Sequence, residues 1–171
     1  TQAIHHLLSS KTPSSLKLAE YYYNAGCDML ELKKYDQALE LFQQALYHYQ
    51  QNSSTTRKSV ERELANTRLR LGIIQFMICD YKLAHQTLLE AEHYFHTLYQ
   101  QQSSTTNIQN LAQCHSLLSQ SAWFARHDPF LTSWHYIVSS CLTTRYTGMP
   151  IKPVTAIRLA YLYLKANPAK Q

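Results

Sequence analysis

Nine of the 171 residues are histidine, so a metal site is the first chemistry to test. Glu90-Ala91-Glu92-His93 fits the E-x-x-H half of a di-iron bundle site, which needs a second such pair and two further Glu on facing helices. No other Glu in the chain has a His three residues on, and His93 with His96 makes two ligands without a third. The pattern therefore predicts histidines on solvated faces, no metal and no cofactor. The four cysteines, Cys27, Cys79, Cys114 and Cys141, contain no C-x-x-C pair. Each sits in an apolar helical stretch, where a free thiol behaves as a small hydrophobe. Cys27 or Cys114 could serve as a nucleophile only beside a distant His, and nothing in the spacing supplies one. G-x-S-x-G, H-E-x-x-H and P-loop patterns are all missing, and the 11 acidic residues fall mostly on helix faces. These observations predict a protein that is not an enzyme.

Charge narrows the partners. Formal net charge is +5, with one local group of bases at Arg57, Lys58, Arg62, Arg68 and Arg70. Glu61 and Glu63 interrupt it, as on a solvated helix face, whereas a polyanion channel wants a dense basic stripe with exposed aromatics. Arg57, Lys58, Arg62 and Arg70 are the candidate basic contact face, but nucleic acid is a disfavoured partner. No apolar run approaches the ~20 residues of a membrane span, and Thr1-Gln2-Ala3-Ile4 does not begin a signal peptide. Reduced cysteines and the lack of these segments predict an intracellular protein, cytoplasmic or nuclear. The missing initial Met suggests a fragment or a processed chain.

The elements that must position these residues are helices. Thr12-Pro13 and Asp128-Pro129 each read as an N-cap followed by Pro at the first helical position, where its missing N–H costs nothing. Asn52-Ser53-Ser54-Thr55-Thr56 and Ser103-Ser104-Thr105-Thr106 read as turns, because such side chains compete for backbone hydrogen bonds. Between the breaks apolar residues recur at three and four: Leu16, Ala19, Tyr22, Tyr23, Cys27 and Leu30, then Tyr35, Ala38, Leu39, Phe42, Leu46 and Tyr49. No stretch alternates as a strand does. The predicted fold is all-α with about seven to eight helices, including a short N-terminal one and a last one near Val154–Ala166.

Self-comparison exposes a repeat. Gly26 and Gly72 are 46 residues apart, as are Tyr35 and Tyr81, Ala38 and Ala84, Ala45 and Ala91, Phe42 and Leu88, and Tyr49 and Phe95. The pattern of Gly, aromatic, Ala, large apolar and Ala resembles the tetratricopeptide repeat (TPR) superfamily, in a long-unit form similar to that of kinesin light chains. The resemblance implies helical hairpins stacked in a short right-handed α-solenoid. The ordinary TPR unit is about 34 residues, so the excess falls on a longer second helix and the Ser/Thr loop. Gly inside a helix costs ~1 kcal/mol relative to Ala; a TPR explains it where two helices cross against a small partner Ala. A third unit aligns Ser119 with the glycines and places Leu131 and Val138 at the Ala positions, a departure from the pattern. The expected organisation is a helix or arm at 1–11, units at 12–52, 53–102 and 103–146, and a loop with a capping helix at 147–171.

In TPR proteins the first helix of each pair lines a concave groove. That places Tyr23, Cys27 and Leu30, then Leu69, Ile73 and Phe76, then Ser116, Gln120 and Trp123 at the groove positions. The Lys and Asn that clamp a C-terminal carboxylate in chaperone co-factors are replaced by Tyr23 and Cys27, and by Leu69 and Ile73. An apolar groove of this kind suits an amphipathic helix or extended segment, or else lies under the chain's own ends. The expected function is a protein–protein interaction module, a scaffold or adaptor for a protein or peptide. The alternative is a regulatory TPR domain controlling an attached or partner enzyme or transcription factor. The apolar last helix (Ile157, Leu159, Tyr161, Leu162, Leu164) leaves self-association or a longer array open. Tyr23-Asn24-Ala25-Gly26 resembles a segment of the meiotic crossover scaffolds built from long TPR arrays; bacterial effectors and chaperones with TPR-like folds are equally compatible.

Overall fold

The computed structural model describes residues 15–51, 57–102 and 104–147. Within them are six helices and no strand: α1 (Ser15–Glu31), α2 (Tyr35–Gln51), α3 (Arg57–Met77), α4 (Tyr81–Gln101), α5 (Thr105–Arg126) and α6 (Pro129–Thr147). The described count is thus six where the sequence predicts seven to eight. The arm at 1–11, the Thr12-Pro13 cap, and the loop and helix after Thr147 lie outside the described residues. The chain divides into two compact units between Asp80 and Tyr81, inside the second expected repeat at 53–102.

In the first unit α1 and α2 form a hairpin on which α3 packs. Ala19, Ala45, Tyr49, Val60 and Leu64 make one core cluster; Ala38, Phe42, Leu71 and Ile74 make a second. Tyr23 and Leu46 pack against both. The reason for Gly26 differs from the sequence expectation. A Cβ there would meet the Phe42 ring at 3.0, 3.0 and 3.1 Å, so the glycine accommodates an aromatic face rather than a small Ala. The ring lies over the helix backbone, held edge-on by Tyr23 at 5.4 Å between centroids.

The 46-residue period is visible in the backbone as well. Helix α1 ends with Lys33 in the left-handed region (φ 58°), Lys33 N–H bonding to Leu30 O and Lys34 N–H to Met29 O. Helix α3 ends the same way, with Cys79 at φ 66°, Cys79 N–H on Phe76 O and Asp80 N–H on Gln75 O. Both are Schellman closures, which satisfy the last carbonyls of a helix, and every one of their residues is displaced by 46 positions. The interior follows the same period. Ala38 and Ala84, Phe42 and Leu88, and Ala45 and Ala91 are all fully buried, as are Tyr49 and Phe95 to within 1%.

The second unit is α4, α5 and α6, with α5 packed against both neighbours. Ser104 caps α5 by accepting from Asn107 N–H at 3.2 Å. Asp128 caps α6 as the sequence predicts, its Oδ1 accepting from Phe130 and Leu131 N–H at 3.0 Å each. The α5–α6 crossing is polar. Ser119, at the glycine position of the third repeat, donates to Thr132 O at 2.8 Å, and Ser139 donates to Ala112 O at 2.9 Å. These two bonds tie the helices where Leu131 and Val138, both half-buried, stand in place of Ala.

Candidate interaction surfaces

The first-unit groove positions sit half inside the core. Tyr23, Cys27 and Leu30 are each partly buried against the Phe42–Leu71–Ile74 cluster. Arg70 of α3 stands beside the Tyr23 hydroxyl. Burial raises the Tyr23 phenol, with Arg70 opposing it, and also raises the Cys27 thiol. The Cys114 thiol is raised further by deep burial, so both thiols are held neutral rather than activated as thiolates.

The other positions scatter. Leu69 is 3% exposed and offers a partner no surface. Ile73 and Phe76 are half-buried on α3. Gln120 is exposed, its amide donating to Ser116 O at 3.3 Å within α5, and Trp123 is exposed and edge-on to His127. The candidate basic face fares similarly. Arg62 is exposed, Arg70 stands beside Tyr23, and Arg68 is buried, while the side chains of Arg57 and Lys58 lie outside the described residues.

Sequence reasoning missed how much apolar surface the second unit exposes. Trp123 and Phe124 close α5, and Phe130, Trp134 and Ile137 follow on α6 at i, i+4 and i+7. All five are exposed, Phe130 the most at 61%. Phe124 stacks on Tyr81 of α4 at 4.8 Å. The stripe was legible as an apolar periodicity, but periodicity does not say whether a face is covered.

It also missed a buried histidine cluster. His85 on α4, His115 on α5 and His135 on α6 are exposed by 2%, 7% and 6%. The Nδ1 atoms of His115 and His135 are 2.9 Å apart, and His85 Nδ1 is 2.9 Å from Ser121 Oγ. A contact between two ring nitrogens requires one N–H and one lone pair. Glu92 Oε1 stands 3.5 Å from His115 Nε2, which favours the proton there. His115 Nδ1 then accepts from His135 Nδ1–H, an inferred tautomer. Burial lowers both imidazoles to about 4, each further opposed by the neighbouring ring. Among the described residues no three His, Cys, Asp or Glu are placed to hold a metal ion. The His115–His135 pair is thus neutral and hydrogen-bonded, packed with His85 where three helices meet.

Two units of packed helices and a repeated helix-closing turn define a helical-repeat protein. A family model described as "Meiosis protein SPO22/ZIP4 like" matches residues 1–128, three quarters of the chain. The chain belongs to this SPO22/ZIP4-like family of meiosis proteins. The match is to that family and not to the tetratricopeptide repeat itself. Among curated proteins, none matches the chain. No helix among the described residues is long and apolar enough to cross a membrane.

Proposed function

We propose that this chain is a TPR-type interaction segment of a meiotic scaffold, stacking its helical hairpins as an α-solenoid and binding a protein partner through apolar surface. The observation that carries the reading is the exposed apolar stripe of Trp123, Phe124, Phe130, Trp134 and Ile137, four of them aromatic. Apolar groups at this density on a surface are the mark of a contact site, and aromatic residues dominate the binding energy of such sites. The meiosis family points the same way and to a nuclear setting, and supports the scaffold over the regulatory alternative. An amphipathic helix or extended apolar segment is the partner chemistry that fits, with Ile73 and Phe76 of α3 as the first-helix positions for it.

The test is affinity capture from meiotic cells with the wild-type chain and with a Phe130→Ser/Trp134→Ser variant. Both side chains are more than half exposed, so the variant should keep its helical circular dichroism and its melting temperature. Loss of specific partners with folding intact supports the reading. An unchanged set of partners sinks it.

A further inference from the structure

The last described hairpin is less covered than its predecessors. On α2 and α4 the inward positions Ala38 and Ala84, Ala45 and Ala91, and Tyr49 and Phe95 are at most 1% exposed. Their counterparts on α6, Leu131, Val138 and Leu142, are only half-buried, although α6 packs on α5 as α2 packs on α1. What differs is a third helix. α3 lies on α2 and α5 lies on α4, whereas among the described residues no helix follows α6.

A depression of about 280 Å³ marks the place, lined by Gln109, Ala112, Gln113 and Ser116 of α5 and by Ser139 and Thr143 of α6. Gln109, Gln113 and Ser116 stand 93 residues after Leu16, Glu20 and Tyr23, which line the matching space on α1. In the first unit that space is bounded on its far side by Val60 and Glu63 of α3. Val60 and Leu64 join Ala19, Ala45 and Tyr49 there in one core cluster. The second-unit space has no such third wall among the described residues. The chain also carries a matching segment. Leu-Ala recurs in each first helix, as Leu18-Ala19, Leu64-Ala65 and Leu111-Ala112, and again 48 residues later as Leu159-Ala160. Against α1, the residues Leu18, Ala19, Tyr22 and Ala25 recur in register as Leu159, Ala160, Tyr163 and Ala166. Residues 148–153 separate that segment from α6, about as many as the 52–56 between α2 and α3.

We propose that residues 154–166, which lie outside the described residues, are the next first helix and seat on α5 and α6 as α3 seats on α1 and α2. Leu159 takes the place of Leu64 and enters the space between Ala112, Val138 and Leu142, the counterparts of Ala19, Ala45 and Tyr49. Ala160 falls where Ala19, Ala65 and Ala112 are buried, a position that lets helices approach closely. The driving force is removal of apolar surface from water on both sides; a helical repeat buries its faces only by stacking on a neighbour. The seat leaves the apolar stripe open to a partner. Phe130 and Ile137 correspond to Gln37 and Gln44, which remain exposed beneath α3. The inference thus goes beyond the interaction reading and does not depend on it. It also sets Leu164 in line with Tyr23, Leu69 and Ser116, lengthening the row of first-helix positions.

The test is methyl NOE spectroscopy on the full purified chain, with the methyl groups of Ala, Val and Leu labelled. Cross-peaks are expected from the Leu159 methyls to those of Ala112, Val138 or Leu142. No cross-peak from Leu159 to α5 or α6 would leave the seat open to a partner's helix and overturn the inference. Cross-peaks that appear only between differently labelled chains would put a second copy there, and would overturn it equally. A second measurement uses stability. Leu159→Ser should lower the urea midpoint of the second unit, read by fluorescence of Trp123 and Trp134, by roughly 1 M. Ile157→Ser should leave that midpoint near wild type, because its counterparts Arg62 and Gln109 are exposed. Equal midpoints for the two variants would count against the register, and the NOE readout stands even if Leu159→Ser fails to fold.

Discussion

Gly26→Ala sets two opposing effects against each other in one residue. Replacing a mid-helix Gly by Ala ordinarily stabilises by about 1 kcal/mol. Here the new Cβ would lie 3.0, 3.0 and 3.1 Å from three atoms of the Phe42 ring. Carbon pairs prefer roughly 3.5–4.0 Å, so the ring must retreat by several tenths of an ångström. It has little room to do so, being fully buried in a cluster with Leu71 and Ile74 and edge-on to Tyr23. Overpacking of this kind costs about 1–3 kcal/mol. The expected net effect is a loss of up to about 2 kcal/mol, where propensity alone predicts a gain of about 1. The second repeat carries Leu88 at the position of Phe42, which suggests the companion variant. In a Phe42→Leu background Gly26→Ala should become less costly, giving a coupling energy of about 1 kcal/mol in a double-mutant cycle. Urea unfolding followed by far-UV circular dichroism measures all four proteins, with fluorescence of Trp123 and Trp134 reporting the second unit. A Gly26→Ala protein more stable than wild type, or additivity within error, would refute the packing of Phe42 on Gly26.

The buried imidazoles make a pH prediction. Their folded values, lowered to about 4 from 6.5, mean that the unfolded chain binds more protons between those values. The stability contributed by His115 and His135 is therefore complete above about 6.5 and is lost as pH falls toward 4. Proton resonances of these two rings that titrate near 6.5 would contradict the buried junction. Lys33→Gly should stabilise by about 1 kcal/mol, because an exposed Lys at φ 58° bears the steric cost of left-handed backbone and Gly does not. A lower denaturation midpoint in that variant would contradict the left-handed closure of α1. Phe130→Ser/Trp134→Ser should leave the melting temperature within a few degrees of wild type; a collapse would place those rings in a core.

Much of this protein was fixed locally in the chain. Asp128-Pro129 starts α6 because a short carboxylate can reach two free N–H groups at the only place Pro is harmless in a helix. The 46-residue offset marked Ala38, Ala45, Ala84 and Ala91 as interior, and all four are fully buried, because one hairpin geometry admits only small side chains at those crossings. Short range interactions of this kind repeat with the sequence, as the twin turns at Lys33 and Cys79 show.

Other features needed the tertiary structure. Helical spacing put Leu69 and Trp123 on the same expected groove face, yet one is buried and the other exposed, since a period assigns a face but not what covers it. Gly26 opposes Phe42 rather than Ala because the meeting depends on how α2 rotates against α1, which no spacing within either helix encodes. His85, His115 and His135 come from three helices and share no interval, whereas His93 and His96, which do share one, join no buried cluster. Contacts between helices are set by packing of whole faces, so chemistry assembled from several helices is invisible until those faces meet.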